Sequence, residues 1–202
     1  MSAPAYFVSG IGTEVGKTVS SALLVRHFQA DYWKPIQSGD LDYSDTDKVT
    51  TWAELDPERV HPERFRFKTP ASPHYAAALE GQQIQVSDFR LPVTDQPLIV
   101  EGAGGLLVPL NDQQTILDLI AYLHIPVFLV SRHYLGSINH TLMSIAMLRA
   151  RSIPIAGLIY SGVDDKDTVD IIQRQTGLAP FWEIGELPSL EPTVFAARLS
   201  EL

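Results

Sequence analysis

The chain has 202 residues, a length typical of one compact domain with a sizeable core. It carries 15 Lys and Arg against 24 Asp and Glu, and the resulting formal charge of −9 argues against an extended nucleic-acid surface or a polybasic membrane patch, because both need many cations along one face. Cysteine is absent, which excludes disulfides, thiolate metal sites and cysteine nucleophiles. With no signal peptide and no apolar run near the ~20 residues that span a bilayer, the sequence predicts a cytoplasmic protein without a membrane segment.

The first half of the chain alternates short apolar runs with helical spacing. Residues 5–9 predict a strand that ends in glycine, and apolar positions spaced three or four apart predict a helix over 17–28. Four further elements are predicted, in chain order: a short strand over 32–36, a helix over 47–55, a loop-rich, proline-containing segment over 57–73 and a short helix over 74–80.

The second half repeats the alternation more regularly. Three runs are apolar on both faces, as in parallel strands covered by helices on each side: 97–100, 127–130 and 155–159. Helices are predicted between and after them, at 116–123, 138–151 and 168–176, followed by a strand over 181–184 and a helix over 193–199. This alternation predicts an α/β fold, a mostly parallel, doubly wound sheet with helices on both faces, in a single domain over 1–202.

The segment GIGTEVGKT, from Gly10 to Thr18, lies where the first predicted strand ends and the first helix begins. In a phosphate-binding loop, glycines let backbone N–H groups point inward, and the N-terminus of the next helix attracts anions. Lys17 is then expected to reach the β- and γ-phosphates, and the Thr18 hydroxyl to bind Mg²⁺. The strict pattern asks for glycine at Ile11, so the strand-to-helix context is needed to predict a P-loop NTPase-like domain here.

A second glycine-rich segment, LIVEGAGGLLVPL over 98–110, places Glu101 at the carboxyl end of a predicted strand. The glycines at 102, 104 and 105 are predicted to form the loop that follows. Ligands in open α/β sheets gather beyond the carboxyl ends of the strands, so Glu101 is expected to face the first loop. A carboxylate there would complete a Mg²⁺ shell beside Thr18.

Two more segments add charged candidates. In YWKPIQSGD, Lys34 lies near the end of a short predicted strand, where a second cation could neutralise transferred phosphoryl charge. The acidic segment SDTDKV offers Asp45 and Asp47 as a further metal carboxylate, and spacing alone does not choose between them.

Six motifs together resemble the dethiobiotin synthetases, ATP-dependent enzymes that close the ureido ring in biotin synthesis. They occur in that family's order: GTEVGKT at 12–18, KPIQSG at 34–39, PASPHYAA at 70–77, VEGAGG at 100–105, LGSINHTL at 135–142 and GELP at 185–188. The likeness spans nearly the whole chain, and TEVGKT together with EGAGG is a specific combination.

The resemblance implies a reaction in which 7,8-diaminopelargonate and CO₂ form a carbamate that ATP then activates for ring closure. It implies two catalytic residues, Lys17 on the phosphates and Lys34 at the carbamate and γ-phosphate. Thr18, Glu101 and one aspartate of the acidic segment would hold Mg²⁺. The position of Asp47 just before an apolar, helix-like run favours it as that aspartate.

The resemblance also implies the remaining contacts. The other nucleotide-binding residues would be Gly12, Thr13, Glu14, Val15, Gly16, Val19, Gly102, Ala103, Gly104, Ser161, Gly162, Leu187 and Pro188. The substrate-binding residues would be Thr13, Ser38, Gly136, Ser137, Ile138 and Asn139. The last four belong to a segment that, in the family's homodimer, meets the diamine's carboxylate from the second subunit, and a helix start with free N–H groups suits that role. The family often has asparagine where Ser161 stands, and serine cannot make the same two-sided contact with adenine.

Two other functions fit parts of the pattern. One is a related small amide-forming P-loop ligase that acts on another carboxylate. The other is a regulatory ATPase of the partitioning or cell-division type, but those proteins carry an extra lysine where this chain has Gly12. They also use a membrane helix or a basic DNA-binding surface, neither of which the sequence predicts.

Overall fold

The computed structural model describes residues 3–202 and is organised around a parallel sheet. The strands are β1 (Ala5–Gly10), β2 (Asp31–Trp33), β3 (Ile36–Ser38), β4 (Val60–His61), β5 (Phe65–Phe67), β6 (Leu98–Gly105), β7 (Val127–Arg132), β8 (Ile155–Ser161) and β9 (Pro180–Gly185). Seven of them form one sheet in the order β4-β2-β6-β1-β7-β8-β9, in which every pairing is parallel, while β3 pairs with β5. Because β1 lies between β6 and β7, its carboxyl end is the point where such sheets bind ligands.

Helices cover both faces of this sheet. They are α1 (Lys17–Phe28), α2 (Asp45–Ala53), α3 (Pro73–Leu79), α4 (Ile116–Leu123), α5 (Ser137–Ala150), α6 (Lys166–Thr176) and α7 (Pro192–Glu201). One apolar layer includes Leu24 of α1 and Trp52 of α2, and the other includes Leu148 of α5 and Ile172 of α6. The prediction of an α/β fold with a mostly parallel, doubly wound sheet is therefore confirmed. Within residues 3–202, each helix is too short or too polar to cross a bilayer.

Two helix predictions match the structure at both ends. The helices predicted over 17–28 and 116–123 have those bounds in the structure. By contrast, α2 begins at Asp45, two residues before its predicted start. Ser44 causes the earlier start, because its hydroxyl accepts a hydrogen bond from the Asp47 N–H and its own N–H donates to the Asp47 carboxylate at 2.8 Å. This reciprocal capping box stabilises the first turn of α2.

Two predictions failed around the prolines. The strand predicted over 32–36 is divided into β2 and β3, because Pro35 has no N–H to donate to a ladder. The segment predicted as loop-rich over 57–73 contains β4, β5 and a short 3₁₀ helix. In β5, Phe65 and Phe67 are buried and Arg66 between them is exposed. This alternation is typical of a strand, but three residues are too few to distinguish a strand from a loop in the sequence.

The glycines predicted to form a loop after Glu101 instead continue β6. The strand extends to Gly105, which lies opposite Gly10 of β1. A Cβ atom on Gly102 would lie 2.6 Å from the Phe7 ring, so glycine allows β6 to run close against the β1 side chains. The pairing is irregular between Glu101 and Gly105, where the register with β1 shifts and Gly104 (φ 63°) is left-handed, so the glycines form a bulged end of β6 rather than a separate loop.

Candidate active site

The loop between β1 and α1 folds back over the end of β1. Glu14 (φ 58°) and Gly16 (φ 92°) adopt left-handed backbone conformations within it. A Cβ atom on Gly10 would lie 2.5 Å from a methyl carbon of Val15, so glycine at that position permits the fold-back. No side chain caps the N-terminus of α1, which begins directly after the loop. Its free N–H groups and positive dipole end suit a bound anion.

Lys17, the first residue of α1, lies over this loop. Its ammonium donates a hydrogen bond to the Gly12 carbonyl at 2.9 Å, and the side chain is largely buried. Burial lowers the pKa of Lys17 to about 8, and the charge of Lys34 acts in the same direction against the opposing effect of Glu101 and Asp45. Among the described residues, no carboxylate is close enough to form an ion pair with Lys17, so an anionic ligand would stabilise its charged form.

Glu101 lies beside α1 because its strand, β6, is the neighbour of β1 in the sheet. The residue is fully buried, and its Oε1 accepts hydrogen bonds from the Thr18 hydroxyl at 2.9 Å and from the Lys34 ammonium at 3.1 Å. The structure thus places Glu101 next to Thr18 at the first loop, where the sequence analysis expected it. A metal-binding role for the pair remains a prediction.

Lys34 lies between two carboxylates. Its ammonium is 3.1 Å from Glu101 Oε1 and 2.5 Å from Asp45 Oδ2, and only 4% of the residue is exposed. Burial alone would lower the pKa of Lys34, but the two carboxylates outweigh it and raise the pKa above its ordinary value. For Asp45, burial raises the pKa, and the nearby charges of Lys34 and then Lys48 outweigh that effect and lower it. Lys34 therefore stays charged at neutral pH.

The acidic segment meets this cluster through Asp45, and the preference for Asp47 is not supported by the geometry. The Asp47 carboxylate accepts hydrogen bonds from the Ser44 N–H at 2.8 Å and the Ser44 hydroxyl at 2.6 Å. It is therefore occupied in capping α2, while Asp45 contacts Lys34. Sequence position could not distinguish the two because both precede the same apolar run, and only the helix start determines which side chain faces the cluster.

Tyr32 is the residue at this site that the sequence analysis missed. It is fully buried in β2, and its hydroxyl donates a hydrogen bond to Glu101 Oε2 at 3.0 Å. A signal was present, because Tyr32 and Lys34 are two residues apart in extended chain and so project to the same face. An apolar strand with an aromatic residue, however, more often indicates core packing.

Two residues were assigned to the substrate: Ser38, at the end of β3, and Thr13, in the loop after β1. The Ser38 hydroxyl is buried and has no hydrogen-bond partner among the described residues. The tight turn after it is built by Gly39 (φ 76°), where a Cβ atom would lie 2.5 Å from Pro70. Thr13 points toward β6, since its hydroxyl would be 3.6 Å from a Cβ atom on Gly104. A polar substrate group is a suitable partner for the Ser38 hydroxyl.

Ser161, at the end of β8, contacts the loop between β1 and α1. Its buried hydroxyl donates a hydrogen bond to the Val15 carbonyl at 2.8 Å, and a Cβ atom on Gly16 would lie 3.0 Å from the same oxygen. Next to it, Gly162 (φ 86°) turns the chain away from β8. Ser161 is therefore positioned to hold the loop rather than to present its hydroxyl to a base.

A pocket of about 430 Å³ opens beyond the ends of β8 and β9. Leu187 and Pro188 line it, together with Val163 and the α7 residues Val194 and Ala197. Its walls also include the charged side chains of Asp164, Glu186, Arg198 and Glu201, and the apolar part could hold a planar aromatic group. The structure thus places Leu187 and Pro188, but not Ser161, on the walls of one cavity.

The segment assigned to the second subunit starts α5. Gly136 (φ 104°) precedes the helix without a side-chain cap, Ser137 is buried, and Ile138 and Asn139 are exposed. Within residues 3–202, no hydrogen bond or ion pair joins this segment to the cluster around Glu101. One copy of the chain therefore brings together the loop, Lys34 and Glu101, but not the start of α5.

The fold and the loop geometry define a P-loop nucleotide-binding domain. Residues 4–196 match the family described as AAA domain. The fold is similar to that of a ParA family ATPase from Chlorobium tepidum TLS, with a TM-score of 0.55, 12% identity and coverage of 98% of this chain and 99% of that one. A plasmid partition protein from Borrelia burgdorferi B31 is similar at a TM-score of 0.52 and 11% identity, with coverage of 98% and 89%. These likenesses concern the fold alone.

Comparison with curated sequences defines the family more narrowly. The ATP-dependent dethiobiotin synthetase of Christiangramia forsetii is 44% identical over 98% of this chain and 98% of its own length. That of Rhodopseudomonas palustris is 43% identical over 94% and 89%, and that of Afipia carboxidovorans is 44% identical over 92% and 87%. The chain belongs to the ATP-dependent dethiobiotin synthetase family.

Proposed function

We propose that this protein uses ATP to join CO₂ to 7,8-diaminopelargonate and close the ureido ring, releasing dethiobiotin, ADP and phosphate. The convergence of Lys17, Thr18, Lys34 and Glu101 at the end of β1 is the observation that carries the proposal. Identity of about 44% to dethiobiotin synthetases over nearly the whole chain supports the same reaction. A related amide-forming ligase has no observation in its favour beyond the P-loop itself.

The chemistry requires charge stabilisation rather than a covalent nucleophile. One amine of the diamine adds to CO₂ to give a carbamate, whose oxygen attacks the γ-phosphorus as the bond to ADP breaks. The second amine then attacks the carbamic–phosphoric anhydride, and inorganic phosphate leaves as the ring closes. Carbamate, triphosphate and anhydride are all anionic, so the buried ammonium groups of Lys17 and Lys34 would hold and orient them.

The nucleotide is proposed to bind between the loop and the pocket near α7. Loop N–H groups from Gly12 to Thr18 would surround the phosphates, and the first turn of α1 would add its dipole. The base would enter the pocket that Leu187 and Pro188 line. Since the Ser161 hydroxyl is bonded to the loop, Ser161 would act on the nucleotide through loop position rather than through the base.

Magnesium is proposed to bind between Thr18, Glu101 and Asp45. These residues fit the ion, because a hydroxyl and carboxylate oxygens are the hard ligands it takes in phosphate sites, where phosphates and water complete its shell. Among residues 3–202, no group of three or more His, Cys, Asp or Glu side chains could hold a metal ion by itself, so the triphosphate would supply part of the Mg²⁺ shell. When bound, Mg²⁺ neutralises charge on the β- and γ-phosphate oxygens.

The diamine is proposed to bind at a homodimer interface. Thr13 and the unpartnered Ser38 hydroxyl would contact its amine or carbamate end. The free N–H groups after Gly136, supplied by the second subunit, would bind its carboxylate. Apolar side chains exposed around the start of α5 support such an interface, since Leu135 is fully exposed and Met143 is about half exposed.

The direct test is product formation from purified protein. MgATP, ¹³C-bicarbonate and 7,8-diaminopelargonate should give dethiobiotin that carries the label in its ureido carbonyl, detected by mass spectrometry. Replacing Lys34 with alanine should reduce turnover at least ~100-fold, the scale seen when a preorganised charge-stabilising donor is lost. Arg174→Ala, which removes an exposed cation of α6, is the matched control and should leave turnover unchanged. ADP release that does not depend on the diamine would contradict the proposal.

A further inference from the structure

The buried carboxylate of Glu101 presents its two oxygens to different neighbours. Oε1 accepts hydrogen bonds from Thr18 and Lys34, at 2.9 and 3.1 Å, and so faces the P-loop. Oε2 accepts a hydrogen bond from the Tyr32 hydroxyl at 3.0 Å, which is its one partner among the described residues. On the side away from the P-loop, the Glu101 carboxylate is therefore held by a single neutral donor, the Tyr32 hydroxyl.

The sheet determines this arrangement. In the parallel register of β2 and β6, Tyr32 lies opposite Ile99, and side chains two residues apart in a strand project to the same face. Glu101 is therefore on the Tyr32 face, one pleat further toward the carboxyl edge. Tyr32 is fully buried in the layer beneath α1. A phenol is protonated at neutral pH, so its hydroxyl remains a donor to the carboxylate.

We propose that Tyr32 is a positioning residue that holds Glu101 Oε2 away from the phosphates and presents only Oε1 to the bound metal–nucleotide complex. The identity of that complex rests on the proposed function. Without the hydroxyl, Oε2 would be left unpartnered in a buried site, and the carboxylate would rotate to share it with Lys34 or the metal. A Tyr32 that served only the core would instead affect stability alone.

The test is Tyr32→Phe, which removes one oxygen and keeps the ring. Mn²⁺ binding in the presence of ADP, followed by electron paramagnetic resonance, should weaken about tenfold, within the 10- to 100-fold range seen when the partner of a metal ligand is removed. The Mg²⁺ concentration for half-maximal turnover should rise by a similar factor, while the KM for the diamine stays within about twofold because Tyr32 has no proposed contact with it. Thermal denaturation reports any effect on stability separately.

Tyr160→Phe is the matched control. Tyr160 is equally buried in the same sheet, but it belongs to the opposite apolar layer and its hydroxyl has no hydrogen-bond partner among the described residues. Its loss should leave Mn²⁺ binding unchanged. If Tyr32→Phe binds Mn²⁺ as the unmodified protein does, the proposal is wrong, even where the melting temperature falls.

The test does not depend on synthesis of the product, and a second probe is available if the variant does not fold. Mn²⁺ and ADP binding need no diamine, so a failure of dethiobiotin synthesis would leave this result interpretable. Should Tyr32→Phe not fold, 3-fluorotyrosine at position 32 in the otherwise unmodified chain provides a probe of the same shape. Its ¹⁹F resonance should move as metal is added with ADP, and a resonance that stays in place would overturn the proposal.

Discussion

Nucleotide binding at alkaline pH should take up a proton at Lys17. Burial, together with the charge of Lys34, lowers the pKa of this ammonium to about 8, so in the free protein it loses its proton as the pH rises through that value. A bound di- or triphosphate favours the charged form and raises the pKa of Lys17. The group that titrates is Lys17 and not Lys34, because the carboxylates of Glu101 and Asp45 raise the pKa of Lys34.

The magnitude follows from that pKa. If only the protonated form binds, the apparent Kd is multiplied by one plus the ratio of neutral to charged Lys17, so it should rise about eightfold between pH 7.5 and pH 9.0. At pH 8, binding should take up about half a proton. The nucleotide itself contributes little here, since the second ionisation of a terminal phosphate has a pKa of about 6.

Isothermal titration of MgADP at pH 7.5, 8.0 and 9.0, in buffers of different ionisation enthalpy, measures both the proton uptake and the Kd. Lys17→Arg is the control, because guanidinium keeps its charge throughout this range and its Kd should not vary with pH, whatever its absolute value. A Kd for the unmodified protein that is constant from pH 7.5 to 9.0, with no proton uptake, would refute the argument from burial.

Four substitutions test other parts of the structure. Asp45→Asn should reduce turnover ~100-fold. Asp47→Ala should keep turnover but destabilise the protein by about 1 kcal/mol through loss of the α2 cap. Kinetics and urea denaturation measure these effects, and the reverse pattern would favour Asp47 as the sequence-based prediction did. Ser161→Ala should leave the buried Val15 carbonyl without its donor, lowering stability by about 1–3 kcal/mol and weakening ADP binding in calorimetry; unchanged affinity would separate Ser161 from loop support. Gly102→Ala should destabilise by about 1–3 kcal/mol because its methyl meets a β1 phenyl ring, and a melting temperature equal to that of the unmodified protein would contradict the close packing of β6.

Much of this architecture could be predicted from local pattern. The apolar period over α1 and α4 gave their bounds, and a strand–glycine–helix sequence identified the phosphate loop before any contact was known. The predictions failed where a tertiary partner decides the conformation. The glycines after Glu101 resemble a turn in sequence but continue β6 as an irregular strand end, because Gly105 pairs with Gly10 of β1. Likewise, β4 is only two residues long and exists because β2 lies beside it.

The site shows the same division. Residue types and motif order alone determined the P-loop, its lysine and hydroxyl, the second lysine and the buried glutamate, because a phosphate site needs those groups near glycines and strand ends. Only the tertiary structure decided that Asp45 rather than Asp47 meets Lys34, that Ser161 supports the loop, and that Tyr32 holds the far oxygen of Glu101. Each of these contacts joins segments that are distant along the chain, and it depends on where a helix starts, on the register of a strand or on a side-chain rotamer. These features are fixed only when the sheet and its helices pack together.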